Sequence, residues 1–169
     1  MKTLLLLIIS MGAFAAANAQ QTAKYPYEEM EKTAAAYFKA YGNRNADSMA
    51  MYYAEDFRYV DETLAGAGVG ATPFDVTGKD IVIDQFKQNF FPVAKKYDWQ
   101  EESHFFSGDQ GVFQGKLEVI YKGTAIGKSD DLNYLWSVSY VIVLTFKDGK
   151  IIRQNDYIDY PGSTLTEIK

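Results

Sequence analysis

Four runs of alternating apolar and polar residues close the chain and limit its fold more than any other feature. They are Trp99 to Phe106, Val112 to Tyr121, Tyr134 to Phe146 and Lys150 to Tyr160. The turn signals between them are Ser107-Gly108-Asp109, Lys122-Gly123 and Lys147-Asp148-Gly149. Period-two alternation sends successive side chains to opposite faces of a strand, and Gly beside Asp or Ser favours a turn. In the third run Trp136, Val138, Tyr140, Ile142, Leu144 and Phe146 share one face, with Ser137, Ser139 and Thr145 opposite. Val141 and Val143 make that opposite face partly apolar, which points to a homodimer contact. A sheet with one buried face needs a second layer to cover it.

The covering layer lies earlier in the chain. Pro26 to Tyr41 opens with Glu28 and Glu29, suited to a helix N-terminus, and repeats Met30, Ala34, Phe38 and Tyr41 at helical spacing before Gly42. Asn45 is placed to cap a short second helix carrying Met49, Tyr52 and Tyr53. Phe57 to Glu62 alternates as a strand, and the small, Gly-rich stretch Leu64 to Val76 reads as loop. Thr77 and Asp80 have capping-box spacing, and Ile81, Phe86 and Phe90 continue a third helix up to Pro92. The expected fold is α+β: three N-terminal helices, and a curved, mostly antiparallel sheet wrapped as a cone around the long one. A pocket is expected between that helix and the sheet.

Lys2, the apolar run Leu4 to Ile9 and the small residues Ala15 to Ala19 form the pattern of a secretory signal peptide. Residues 1–19 are therefore expected to be removed, leaving one domain over 20–169 that is exported to the periplasm or cell exterior. No stable membrane insertion is expected after cleavage.

Composition narrows the chemistry. Among 169 residues there is no Cys and one His, so disulfides, thiolate metal sites and a cysteine nucleophile are excluded. A net charge of −5 argues against nucleic acid as a partner, since nothing offsets phosphate repulsion. Scattered carboxylates without ligand spacing predict no metal, and no cofactor motif holds up. Gly66-Ala67-Gly68-Val69-Gly70 lacks a βαβ context, and Gly78-Lys79 lacks the rest of a phosphate loop. With 13 Tyr and 11 Phe, the chain has aromatic side chains enough to line a cavity.

The order of elements resembles the nuclear transport factor 2-like superfamily. Carrying that resemblance are Asn45-Ala46-Asp47, Tyr53-Ala54-Glu55-Asp56, a strand through Asp61, and Gly78 before the helix containing Ile81. The closing Asp148-Gly149-Lys150-Ile151 and Asn155-Asp156-Tyr157-Ile158-Asp159 are similar to its SnoaL-like cyclase and limonene-epoxide hydrolase branches. Tyr37 to Asp61 also lies without a gap beside the ketosteroid isomerase pattern, with a Tyr oxyanion donor on the first helix and an Asp base on the first strand. The resemblance implies Asp61 as base and Tyr37 as donor: a carboxylate removes a proton beside a carbonyl while a buried phenol stabilises the enolate. That family's second donor, an Asp kept neutral by its apolar site, has its counterpart at or near Ile142, so half the oxyanion hole is missing. In the SnoaL-like and epoxide-hydrolase branches an acid of the final strand faces the cavity, which implies Asp156 as a second catalytic acid. The epoxide-hydrolase pattern also needs an Arg between two acids, and none is placed for it.

Bland roles fit the same residues. Asp61 can cap the turn after its strand, Tyr37 can be a packed helix aromatic, and Asp156 can sit at a solvated edge. His104 can be a surface residue or a weaker candidate base. Periodicity does not decide which face of the last strand points inward. Tyr41, Trp136, Tyr140, Ile142 and Ile158 are expected to line the pocket. The expected ligand is a small hydrophobic molecule, handled by cofactor-free isomerase, cyclase or hydrolase chemistry on a carbonyl compound or epoxide. The alternative is a non-catalytic periplasmic ligand-binding or dimerisation module.

Overall fold

A computed structural model describes residues 27–67, 74–129 and 131–168. The signal-peptide segment and the centre of the Gly-rich stretch lie outside the described residues. Helix α1, Tyr27–Gly42, carries Glu28 and Glu29 in its first turn and Lys39 in its last, each matching the helix dipole. It buries Met30, Ala34, Tyr37, Phe38 and Tyr41 along one stripe. Asn45 accepts from the Ser48 amide at 3.0 Å and starts α2, Ala46–Ala50. That helix is shorter than its pattern predicts, because Tyr53 already opens strand β1, Tyr53–Asp61.

The segment expected as loop contains strand β2, Phe74–Thr77. It pairs antiparallel with β1, Thr77 opposite Arg58 and Phe74 opposite Asp61. Thr77 is therefore committed to the ladder and forms no cap. Gly78, at φ 108°, stands at the N-cap of α3, Lys79–Gln85, and a π-turn over Phe86–Phe90 extends that helix. After it come β3, Ala94–Ser107, β4, Gln110–Lys122, β5, Asn133–Lys147, β6, Lys150–Ile158, and β7, Thr164–Ile168.

The strands form one curved, mixed sheet in the order β2-β1-β6-β5-β4-β3, with β7 on β5. Neighbours are antiparallel except β1 and β6, which run parallel. The architecture is α+β as expected, but the helical detail is not. The helices are short, 16, 5 and 7 residues, so no long helix organises the sheet, and the third lies between β2 and β3. Gly42, the Asn45 cap and the early start of β1 account for the brevity.

Aromatic contacts join α1 to the inner face of the sheet: Phe38 to Trp99 and Phe113, Tyr37 to Tyr53, and Tyr41 to Tyr97. Val138, Tyr140, Ile142, Leu144 and Phe146 of β5 are all buried on that face. Strand β5 is long enough to hold two partners end to end along one edge. Tyr140–Lys147 pairs with β6, and Asn133–Ser137 pairs with β7. Residues 159–163 detour between those partners, and that detour becomes part of a cavity wall.

Candidate functional site

Parity along β6 changes at a register shift. Phe146 pairs with Ile151, but Thr145 pairs with Arg153, leaving Ile152 as the extra residue. Ile151 is therefore buried, and so are Gln154, Asp156 and Ile158. Tyr157, on the opposite face, is exposed. A strict alternation puts Ile151 and Asp156 on opposite faces, and the bulge puts both inside.

Asp61 and Asp156 are register partners on the parallel strands β1 and β6, and Tyr59 and Gln154 are the pair before them. Ile142 faces Asp156 across the β5–β6 ladder. The acid that the isomerase pattern places near Ile142 thus has a carboxyl directly opposite, on the next strand.

Asp156 is fully buried. Its Oδ2 accepts from the hydroxyls of both Tyr59 and Tyr140, and its Oδ1 accepts from Gln154 Nε2 at 2.8 Å. Burial pushes its carboxyl up to about 7. The three donors oppose the rise, and the charge of Asp61 adds to it. Burial and the Asp156 charge also push the phenols of Tyr59 and Tyr140 well above their ordinary range.

Asp61 fills both roles its sequence position allows. Its Oδ1 accepts from the Thr63 amide at 3.0 Å and from the Thr63 hydroxyl at 2.9 Å, which caps the turn. Its Oδ2 accepts from the Tyr160 hydroxyl at 2.6 Å. The Thr63 hydroxyl in turn accepts from the Ile158 amide at 2.8 Å, tying the turn after β1 to the end of β6.

These groups border a cavity of about 740 Å³. Tyr59 and Asp61 come to it from β1, Tyr140 and Trp136 from β5, Ile158 from β6, and Tyr160 from the detour. Phe86 and Phe90 face them from the two ends of the π-turn, and Tyr41 closes the α1 side. Asp156 is not on the wall itself; it stands behind Tyr59 and Tyr140.

The structure brings Asp61 and Asp156 together and leaves Tyr37 one layer back. Tyr37 is fully buried, donates to Gln154 Oε1 at 2.6 Å, and accepts from the Tyr53 hydroxyl at 3.3 Å. It touches Asp156 only through Gln154, because Tyr41, one turn on, occupies the wall. Tyr41, Trp136, Tyr140 and Ile158 stand on the wall. Ile142 does not: it continues the inner face of β5 beyond Tyr140 into the core. His104 is remote, on β3, where it bonds Glu101 at 2.6 Å and packs on Phe106 and Phe113.

Tyr59, Gln154 and Tyr160 are the site residues that sequence patterning did not single out. Two had a signal: Tyr59 and Gln154 each lie two residues before an acid on the same strand face. Tyr160 ends the fourth alternating run in the same parity as Asp156, but the strand stops at Ile158, and it is the detour rather than the ladder that brings Tyr160 to the cavity.

A model of the SnoaL-like domain family matches residues 34–154. No curated protein sequence matches the chain. Among solved structures, a protein of Shewanella putrefaciens CN-32 provisionally named a SnoaL-like polyketide cyclase is 20% identical. The match covers 83% of this chain and 85% of that one, with a TM-score of 0.67. A similarly named protein of Shewanella denitrificans OS-217 is 22% identical over 81% of this chain and 93% of that one, at 0.66. A protein of unknown function from Burkholderia pseudomallei K96243, described as nuclear transport factor 2-like, is 18% identical over 79% and 92%, at 0.60. At these identities the likeness is one of fold. The family model covers most of the described chain, and on that ground the protein belongs to the SnoaL-like domain family.

Proposed function

We propose that the protein is exported and that its cavity takes a small hydrophobic molecule, on which it performs cofactor-free acid–base chemistry. The observation that carries this reading is the pair of register-matched acids in different environments, Asp61 on the cavity wall and Asp156 sealed behind two wall tyrosines. Environments that differ this way separate an acid from a base.

Asp61 is the base. On a carbonyl compound it takes the proton from the adjacent carbon, and that C–H electron pair becomes the new C=C bond. The oxygen that gains charge needs a donor, and Tyr59 or Tyr140 supplies it. While Asp156 is ionised, both phenols spend their protons on Oδ2. Once Asp156 is protonated there, its own O–H replaces one of these donors and frees that phenol to point into the cavity. With a carboxyl near 7, both forms are populated at neutral pH. On an epoxide the same freed phenol protonates the ring oxygen as its C–O bond breaks and takes the Asp156 proton in its place, while Asp61 accepts a proton from the water whose oxygen bonds the ring carbon. Tyr37 holds Gln154, and through it Asp156, and so is a positioning residue.

Thermal-shift screening of apolar carbonyl compounds and epoxides tests the reading. Stabilising ligands that are consumed by the wild type but only bound by Asp61→Asn support catalysis. Ligands that bind both proteins and are never consumed support a ligand-binding module instead. An absence of stabilising compounds across a broad panel contradicts both. The half-buried Val141 and Val143 on the outer face of β5 favour a homodimer through the sheet, which sedimentation tests directly.

A further inference from the structure

The wall of the cavity is chemically one-sided. Ten of its side chains are aromatic, and Asp61 is the only charged one, among the described residues. No lysine, arginine or histidine reaches it there. Arg44, whose charge acts on Tyr97, donates to the Ala94 carbonyl rather than to the cavity. Asp61 is 4% exposed, and its hydrogen bonds come from neutral groups, Thr63 and Tyr160.

A chain of three rings starts at Asp61. Its bond from Tyr160 fixes that ring beside the carboxylate. Trp136 stacks on Tyr160 with centroids 6.1 Å apart and planes 27° apart, and Tyr121 tilts against Trp136 at 6.4 Å. All three line the cavity. Ring faces carry negative charge density and attract a cation, more strongly where water is excluded. Asp156, behind Tyr59 and Tyr140, adds a second acid that already feels the Asp61 charge. A cation here offsets both acids, whereas an anion meets a carboxylate with no counter-charge.

We propose that the cavity selects an organic cation: an apolar amine in its ammonium form, or a quaternary ammonium. Its charged head lies against Asp61 among Tyr160, Trp136 and Tyr121, and its apolar body runs along Phe86 and Phe90. The inference rests on the binding half of the proposed function and needs none of the catalysis. For a reacting molecule, the same field favours steps in which carbon gains positive charge, as in acid-assisted epoxide opening, over a free enolate.

The test uses three probes of similar size: (3-hydroxyphenyl)trimethylammonium, its neutral carbon isostere 3-tert-butylphenol, and anionic 3-hydroxybenzoate. Each is titrated into the protein by calorimetry at pH 7, where the phenol groups of all three stay largely protonated. The expected result is that the cation binds at least about tenfold tighter than the isostere, with the anion weakest. The cation-to-isostere ratio falls towards one in Asp61→Asn. Should that variant fail to fold, Trp136→Leu keeps the carboxylate and is expected to lower the same ratio. Equal or tighter binding of the neutral isostere, or a ratio unchanged in both variants, overturns the cation preference and leaves the cavity a ligand site. If no probe binds at all, the ligand-site reading falls with it.

Discussion

Asp156 is fully buried, so its contribution to stability at each pH depends on the protein groups that surround it. Those groups are Tyr59 on β1, Tyr140 on β5 and Gln154 on β6, with the Asp61 charge beside them and the phenols of Tyr37, Tyr41 and Tyr53 further out. No cation is among them. The ordinary value for its carboxyl is 3.8 and the folded value is about 7, so between those limits the folded chain binds more protons than the unfolded one. The Asp156 contribution to stability is therefore fully present below about pH 4 and is lost as pH rises through 7, by an amount of order a few kcal/mol. Urea unfolding of wild type and Asp156→Asn from pH 4 to 8 checks this: the wild-type slope is expected to be flatter in the variant. The variant is itself expected to lose about 1–3 kcal/mol, since its amide turns a donor towards groups that also donate. Tyr140→Phe removes one stabilising donor from the carboxylate and is expected to move the Asp156 midpoint upward. Both acids were visible in the sequence, and so were the strand faces that pair them with Tyr59 and Gln154. What was not visible is that Tyr37, which fits the donor position of a related pattern, spends its hydroxyl on Gln154. That choice depends on which α1 side chain reaches the wall, and helical spacing alone does not separate Tyr37 from Tyr41.

At the level of elements, local irregularities position the site more than the regular ladder does. The bulge at Ile152 sets the parity of β6, and the detour over 159–163 carries Tyr160 to Asp61. Within that detour the Gly162 amide bonds Asp159 Oδ1 at 3.1 Å, and a Cβ there meets only the movable end of the same exposed side chain. Gly115 in β4 is held to glycine by backbone: a Cβ there falls 2.2 Å from the Gln100 carbonyl oxygen. Gly115→Ala is expected to cost about 1–3 kcal/mol by forcing the β3–β4 ladder apart, measured by chemical denaturation. Tyr37→Phe is expected to cost about 1 kcal/mol while leaving ligand affinity within about twofold, because its hydroxyl touches no cavity atom. The long strands were legible because burial on one face imposes alternation. Strand β7 was not, because nearly all of it is exposed and only its pairing with β5 holds it in place. Strand β2 was hidden by the small residues around it, and the end of α2 by tyrosines that suit helix and strand alike.

The whole molecule is a fold that many chemistries share, so the family alone does not identify a substrate. Among the described residues no helix is long and apolar enough to cross a membrane. The sheet gives the cavity Asp61 and several of its aromatic residues, with Asp156 behind them, and α3 with its π-turn supplies the opposing apolar wall. The site therefore exists only when β1, β5 and β6 are all in register. The coupling of Asp61 to Asp156 tests that assembly and the proposed chemistry together. Carboxyl-carbon NMR titration of the aspartates, in wild type and in Asp61→Asn, reads it without any ligand. One carboxyl, assigned to Asp156, is expected to titrate near 7 in the wild type and to move down when the Asp61 charge is removed. An Asp156 that titrates in the ordinary carboxylate range, or one whose midpoint ignores Asp61→Asn, would contradict that expectation.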